Sequence, residues 1–367
     1  MKAARWHARN DIRVEDVPEP GPPGSGEVIV RVESCGICGT DLEEYRSGPL
    51  FVPVGTPNPL TGRMAPLILG HEFAGEVVEV GREVPRLKPG DRVTPDTLIT
   101  CGTCYWCRRH QLPLCDSLAA LGLMGDGGLA EYCRVPAAMC IALPNGLSSA
   151  HASLAEPLSV AVRAVRKGRV SLGETVAIFG GGTIGLLCLQ AARNAGAGAV
   201  YVVEPLAARR ALALKLGATA TLDPAEAPAQ EALRDLTGIG ADVVIEASGA
   251  AVVIEPAIAA TRKGGRIVLV GIPVAASTLN FMSIVATEKE IIGSLSHVYD
   301  EDFAAAVHLL GEGRVHAEAL ISDRIPLTDI IERGLHRLEA HAADTLKILV
   351  LPNGQVAPTG TAAYTEV

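Results

Sequence analysis

The hydrophobic pattern of the chain changes period near Leu154. Before it, "EVIVRV" (Glu27–Val32) alternates apolar and polar residues as a half-buried strand does. "GEVVEVG" (Gly75–Gly81) and "GDRVTP" (Gly90–Pro95) follow with turn residues at their ends. Short strands punctuated by Gly and Pro predict a compact, barrel-like β domain from Glu27 to about Ala142. Beyond Leu154 the apolar runs alternate between strand and helix lengths. "TVAIFG" (Thr175–Gly180) reads as a buried strand, "TIGLLCLQAARNAG" as a helix closed by glycine, and "AVYVVE" (Ala199–Glu204) as a second strand. "LAARRALALKLGA" is helical again, and "ADVVIEAS" and "GGRIVLVGIP" are further strands. This alternation predicts βαβ units and a doubly wound parallel sheet, an α/β fold. After Gly293 helical and extended stretches mix, "LKILVLP" (Leu346–Pro352) is a last strand, and the tail from Asn353 has no periodicity and is expected to fray. No internal repeat is visible.

At 367 residues the chain exceeds a comfortable single core, which makes two domains the expectation. Apolar residues at 48% and charged residues at 20% are globular values. A net charge of −9 without a basic block argues against nucleic acid or an anionic membrane as partner. The start, "MKAARWHARNDIRVED", lacks the apolar core of a secretory signal. The uncharged run Thr175–Ala192 approaches spanning length, but three consecutive glycines interrupt it, so a water-soluble chain is expected. Six of the nine cysteines fall in two tight clusters, which in a chain without an export signal point to metal and a cytoplasmic setting. Cys133, Cys140 and Cys188 sit in apolar company and read as packing residues.

"GGGTIG" offers Gly180-x-Gly182-x-x-Gly185, with Thr183 and Ile184 completing the turn, directly after a strand and opening a helix. Gly180 permits the tight turn, Gly182 lets a pyrophosphate approach the backbone, and Gly185 lets helix and strand pack closely. The helix start adds free N–H groups for the phosphates. Glu204, at the end of the second strand, can accept hydrogen bonds from ribose hydroxyls and would repel a 2′-phosphate, so NAD is expected over NADP. Arg209 is a candidate contact on the adenine side, the bland alternative being that both residues only cap and solvate the next helix.

"CGTCYWCRRHQLPLC" places Cys101, Cys104, Cys107 and Cys115 on one short loop, and four thiolates closing a tetrahedron form a structural zinc site. A second site is suggested by "CGICGTD", "LGHEF" and "LAEPLSVAV". Cys38, His71 and Glu156 supply a thiolate, an imidazole and a carboxylate, and three protein ligands leave zinc a position for water or substrate. Glu72 follows the histidine at the same strand start, and Cys35 reads as structural.

The ordered motifs "CGICGTD", "GHEFAGEVVEVG", "GDRV", the four-cysteine loop, "GGLAEY", "EPLSVA" and "GGGTIG" resemble the zinc-dependent medium-chain alcohol dehydrogenases over nearly the whole chain, to about Pro352. The branch resembled holds the polyol, threonine and 2,3-butanediol dehydrogenases. "GPLFVPVGTPNPLTG" and "GEGRVHAEALISDRIPLTDIIERG" look most like the butanediol members. The resemblance implies a GroES-like β-barrel catalytic domain (residues 1–153 and 294–352) and a Rossmann NAD-binding domain (residues 154–293), and the aperiodic residues 353–367 are expected to form a flexible tail. It also implies one catalytic and one structural zinc, and a homotetramer or homodimer. Cys38, His71 and Glu156 would hold the catalytic zinc, with Glu72 either ligating directly or standing just behind the metal. Thr40 matches the hydroxyl residue that hydrogen-bonds the substrate oxygen. Many relatives carry histidine where Glu43 stands, so either Glu43 or ordered water replaces the proton relay or Glu43 is only a surface glutamate on a loop. A carboxylate, with a reference pKa of about 4.3 against about 6.5 for histidine, holds a proton less readily.

The implied activity is reversible hydride transfer between a small secondary alcohol or vicinal diol, of the 2,3-butanediol/acetoin type, and NAD. A polyol or L-threonine 3-dehydrogenase is the sister alternative. A non-catalytic NAD-binding regulatory protein is the rival of another class, disfavoured by the intact ligand set. Leu50, Phe51, Leu118, Leu121 and Ile272 are candidate pocket lining, and His297 falls where the family chain passes the nicotinamide edge, as a substrate contact or as structure.

Overall fold

The computed structural model describes residues 1–354 apart from 274 and 342. The fraying expected of the tail falls almost wholly on residues 355–367, outside those described. Both predicted architectures are present. The strand Glu27–Gly36 lies inside a seven-stranded sheet and pairs antiparallel with Glu72–Val80, Tyr132–Pro136 and the late strand Lys347–Leu351. Its alternation explains this: Val28, Val30 and Val32 point into the first core beside Phe73, Val77 and Val135. The pairing with Lys347–Leu351 brings the chain's far end back to its first domain, with Leu349 opposite Gly36 and Val350 opposite Cys35.

The second unit is a six-stranded parallel sheet. Its order is Ala220–Leu222, Ala199–Val203, Thr175–Phe179, Ala241–Glu246, Thr261–Leu269, Glu290–Gly293. Order reverses between Thr175–Phe179 and Ala241–Glu246, and ligands of such sheets bind at this switch point, beyond the carboxyl ends of the strands. The uncharged run from Thr175 resolves into a strand and the helix Thr183–Asn194. No helix among the described residues is long and apolar enough to cross a membrane.

The helix Ala155–Lys167 joins the units. Its apolar side carries Ala155, Leu158, Ala161, Val162 and Val165, spaced by three and four residues, into the core shared with the parallel sheet. Its first turn carries Glu156, at the seam between the two units.

Candidate active site

Three segments bring reactive side chains together. Cys38 stands in extended conformation immediately before the helix Gly39–Ser47, and its N–H donates to Asp41 Oδ2 at 2.9 Å. A carboxylate in the first turn satisfies an orphan donor and suits the positive end of the helix. This cap fixes the direction in which the thiol leaves the backbone, and Thr40 Oγ1 lies 3.6 Å from Cys38 Sγ.

Glu72 opens the strand Glu72–Val80 and His71 immediately precedes it, after a glycine that nothing else could replace. Gly70 has a φ of +93°, and a Cβ there would collide with Leu129 and with Cys35 Sγ. Cys35 is thus a packing residue, fully buried with its thiol pushed up by burial. Ligand atoms of Cys38, His71 and Glu72 all lie within 4.8 Å of one another.

The electrostatics of this group are those of a cation site. His71 Nδ1 and Asp41 Oδ1 are 3.8 Å apart, buried, and without hydrogen-bond partners. A metal on one imidazole nitrogen leaves the other as an N–H donor that a nearby carboxylate orients, and Asp41 is placed to do this. Burial works against protonation of His71, yet the Cys38, Asp41 and Glu156 charges outweigh it and raise its pKa well above the usual imidazole range. Asp41 is raised by burial. So much negative charge facing an under-bonded imidazole fits a divalent cation of the zinc type, for which thiolate, imidazole and carboxylate are suitable donors.

Two acids compete for the third position. Glu72 is 1% exposed and both its oxygens accept from Lys347 Nζ, at 2.8 and 2.6 Å. Lys347 also donates to the Ile37 carbonyl at 2.9 Å, one residue before Cys38. Glu156 is not in the 4.8 Å group. Its carboxylate is raised by burial and lies 3.7 Å from His297 Nδ1. Glu43 is on the outer face of its helix, 3.8 Å from Arg46 and 46% exposed, apart from the group.

The four loop cysteines converge as the spacing predicts. Their sulfurs lie within 4.8 Å of one another, with Cys101–Cys107 at 3.9 Å and Cys104–Cys107 at 3.5 Å. A tetrahedron with Zn–S bonds of about 2.3 Å has edges of about 3.8 Å, so the set fits zinc. Backbone N–H groups of Thr103 and Cys104 pull Cys101 down to about 6, favouring the thiolate.

In the parallel sheet, Gly180 has a φ of +103°, and a Cβ on Gly185 would overlap the Gly180 carbonyl. The helix Thr183–Asn194 can start this close to the strand only without a side chain at Gly185. Glu204 is buried, and its carboxylate accepts from Gly181 N–H at 2.6 Å and Leu206 N–H at 2.9 Å. It thus also holds the glycine turn closed, while the Arg209 guanidinium lies over Gly182.

The suggested pocket lining is dispersed. Leu121 packs in the first core, whereas Leu50, Phe51 and Ile272 are exposed. A cavity of about 640 Å³ near the N-terminal hairpin, bordered by Arg5, Val17, Leu121 and Tyr132, contains none of Cys38, His71, Glu72 or Glu156. Asp41, Asp96 and Lys347 were missed from sequence. Only Asp41, three residues after Cys38 at a helix start, left a local signal.

Residues 24–145 match the alcohol dehydrogenase GroES-like domain and residues 183–312 the zinc-binding dehydrogenase domain. The chain is 40% identical over 357 residues to (R,R)-butanediol dehydrogenase of Bacillus subtilis (strain 168), covering 96% of this chain and 100% of that protein. It is similar to the crystal structure of 2R,3R-butanediol dehydrogenase from Bacillus subtilis with a TM-score of 0.90 and 39% identity, covering 96% of this chain and 99% of that one. A zinc-binding dehydrogenase from Sinorhizobium meliloti 1021 bound to NADP gives a TM-score of 0.86 at 35% identity, covering 96% and 99%.

Proposed function

This chain belongs to the zinc-binding alcohol dehydrogenase family, an oxidoreductase on CH–OH donors that uses zinc and a nicotinamide cofactor, and we propose that it interconverts a small vicinal diol of the 2,3-butanediol type and its hydroxyketone with NAD. The observation that carries the reading is the convergence of Cys38, His71 and Glu72, with Asp41 Oδ1 left without a partner beside His71. When bound, zinc supplies Lewis-acid polarisation of the alcohol oxygen and the nicotinamide accepts the hydride.

The chain's own residues do the rest. Cys38, His71 and Glu156 are the proposed ligands. Lys347 already engages both Glu72 oxygens, which argues for Glu72 as the carboxylate behind the metal. The Thr40 hydroxyl, beside Cys38, accepts the alcohol proton as it passes its own onward, and Glu43, on the same helix and reaching solvent, is the proposed acceptor on the way out. The Gly180–Gly185 turn and the start of its helix receive the pyrophosphate. Glu204 favours the unphosphorylated ribose of NAD, with Arg209 beside the turn. Cys101, Cys104, Cys107 and Cys115 hold the structural zinc.

We extend the reading to a cytoplasmic homo-oligomer. The last strand of the parallel sheet, Glu290–Gly293, exposes Ile291, and Phe281, Met282, Val285 and Leu295 are exposed nearby in sequence, an apolar surface of the kind that association covers.

The test is NADH formation at 340 nm across the 2,3-butanediol stereoisomers, sorbitol, xylitol and L-threonine, repeated with NADP. One butanediol isomer preferred with NAD is the expected result. Activity confined to sorbitol or threonine, or a higher kcat/KM with NADP, would overturn the substrate or the cofactor assignment.

A further inference from the structure

His297 is fully buried and faces acids on both sides. Its Nε2 lies 2.9 Å from Asp96 Oδ1, and its Nδ1 lies 3.4 Å from the Ser296 hydroxyl and 3.7 Å from Glu156 Oε1. The ring stacks on Phe303 at 5.5 Å between centroids. Of the two expectations for His297, substrate contact or structure, its complete burial favours the structural one.

The arrangement is built from both units. Asp96 follows the strand Arg92–Pro95 of the first sheet, is 4% exposed, and is anchored by its own N–H to the Met139 carbonyl at 2.8 Å. Its Oδ1 also accepts from Leu98 N–H at 2.9 Å. A small cavity of about 110 Å³ borders Asp96, His297 and Tyr299.

The segment after His297 is tied to the helix whose first turn carries Glu156. Asp302 is 1% exposed and accepts from Val298 N–H at 2.9 Å, from Arg166 at 2.7 Å and from Arg163 at 3.3 Å. Both arginines lie on Ala155–Lys167, two and three turns beyond Glu156. The helix presenting Glu156 and the segment presenting His297 are therefore held against each other at two points. Among the described residues no hydrogen bond holds the Glu156 carboxylate, whose side chain is 13% exposed, so its three rotatable bonds leave several rotamers open unless a neighbour restricts them.

We propose that His297, oriented by Asp96, is the positioning residue for Glu156, setting the rotamer in which its carboxylate faces Cys38 and His71. The inference rests on Glu156 as a ligand of the catalytic metal. Partners behind a ligating side chain alter metal affinity by about 10–100-fold when removed, which gives a readout independent of turnover.

Full-length wild type, His297→Asn, His297→Gln and His297→Phe are compared by zinc content, chelator competition and the visible bands of the cobalt(II)-substituted protein. Asparagine places an amide N–H near the Nδ1 position and glutamine near Nε2, while phenylalanine keeps the ring against Phe303. The expected result is two metals per wild-type chain and a catalytic-site affinity lowered about 10–100-fold, with shifted cobalt bands, in the Gln and Phe variants. Asparagine restores most of the affinity, and the four-cysteine site is unchanged throughout. Wild-type affinity and cobalt spectrum in the Gln and Phe variants would overturn the inference and leave the proposed function standing. A wild-type chain that holds only the four-cysteine metal would overturn both. Where phenylalanine prevents folding, the Asn–Gln contrast carries the test, and equal losses in the two would count against positioning.

Discussion

Replacing Lys347 by methionine should destabilise the first domain far more than an average surface change. The ammonium is 4% exposed, Glu72 is 1% exposed, and the closest approach is 2.6 Å. Burial acts against the charged lysine, but Glu72 and then Cys38 hold its pKa above the ordinary value. At an effective dielectric of about 20, unit charges about 3 Å apart attract by about 5–6 kcal/mol. Desolvation of each ion costs several kcal/mol, so the pair as a whole nets close to nothing. Removing one partner is different, because it leaves a buried carboxylate with no cation, at about 3–5 kcal/mol. The Ile37 carbonyl loses its donor as well. Urea unfolding of the zinc-free protein, followed by the fluorescence of Trp6 in the core of that domain, measures the loss. The double variant Glu72→Gln/Lys347→Met should recover most of it, since no buried charge remains. A single variant within about 0.5 kcal/mol of wild type would refute the reasoning, as would a double variant at least as unstable as the single.

Other outcomes follow from the same geometry. Cys104→Ser should take zinc content from two to one per chain and lower the unfolding temperature, because a structural site of this kind contributes directly to folding; unchanged zinc content would contradict the four-thiolate assignment. Glu43→Gln should change the pH–rate profile if this carboxylate carries the proton outward, and superimposable profiles would remove it from the mechanism. Asp242 is depressed: burial opposes this, but the Thr175 N–H and Arg262 outweigh it. A depressed carboxylate adds stability above its unfolded pKa of about 3.9 and loses it as pH falls through the folded value. Asp242→Asn should therefore cost about 1 kcal/mol at neutral pH, with the gap to wild type closing as pH falls below 4. A gap constant with pH would contradict the ion-pair origin.

Much of the site was legible because its chemistry is local. The three glycines of the turn, the four cysteines of one loop and the pair His71–Glu72 each lie within one short segment, where spacing alone constrains geometry. Legibility stopped where partners come from distant strands. Lys347 reaches Glu72 across 275 residues of chain, and His297 reaches Asp96 across 201. Neither leaves a pattern nearby, since each occupies an ordinary strand end or turn. Burial was not legible for a related reason: Leu121 and Ile272 are equally apolar, yet one is buried in the core and the other exposed.

By itself the sequence determined the two architectures, the glycine turn and the loop that gathers four cysteines, and it singled out Cys38, His71 and Glu72, whose ligand atoms meet. Period, turn chemistry and the absence of a side chain act over a few residues and need no partner. Tertiary structure alone decided that Glu72 is already held by Lys347, that Asp41 stands behind His71, and that His297 lies between Asp96 and Glu156. Those are matters of which buried charge finds which counter-charge, and in a low-dielectric interior that is set by how strands far apart in the chain are brought side by side.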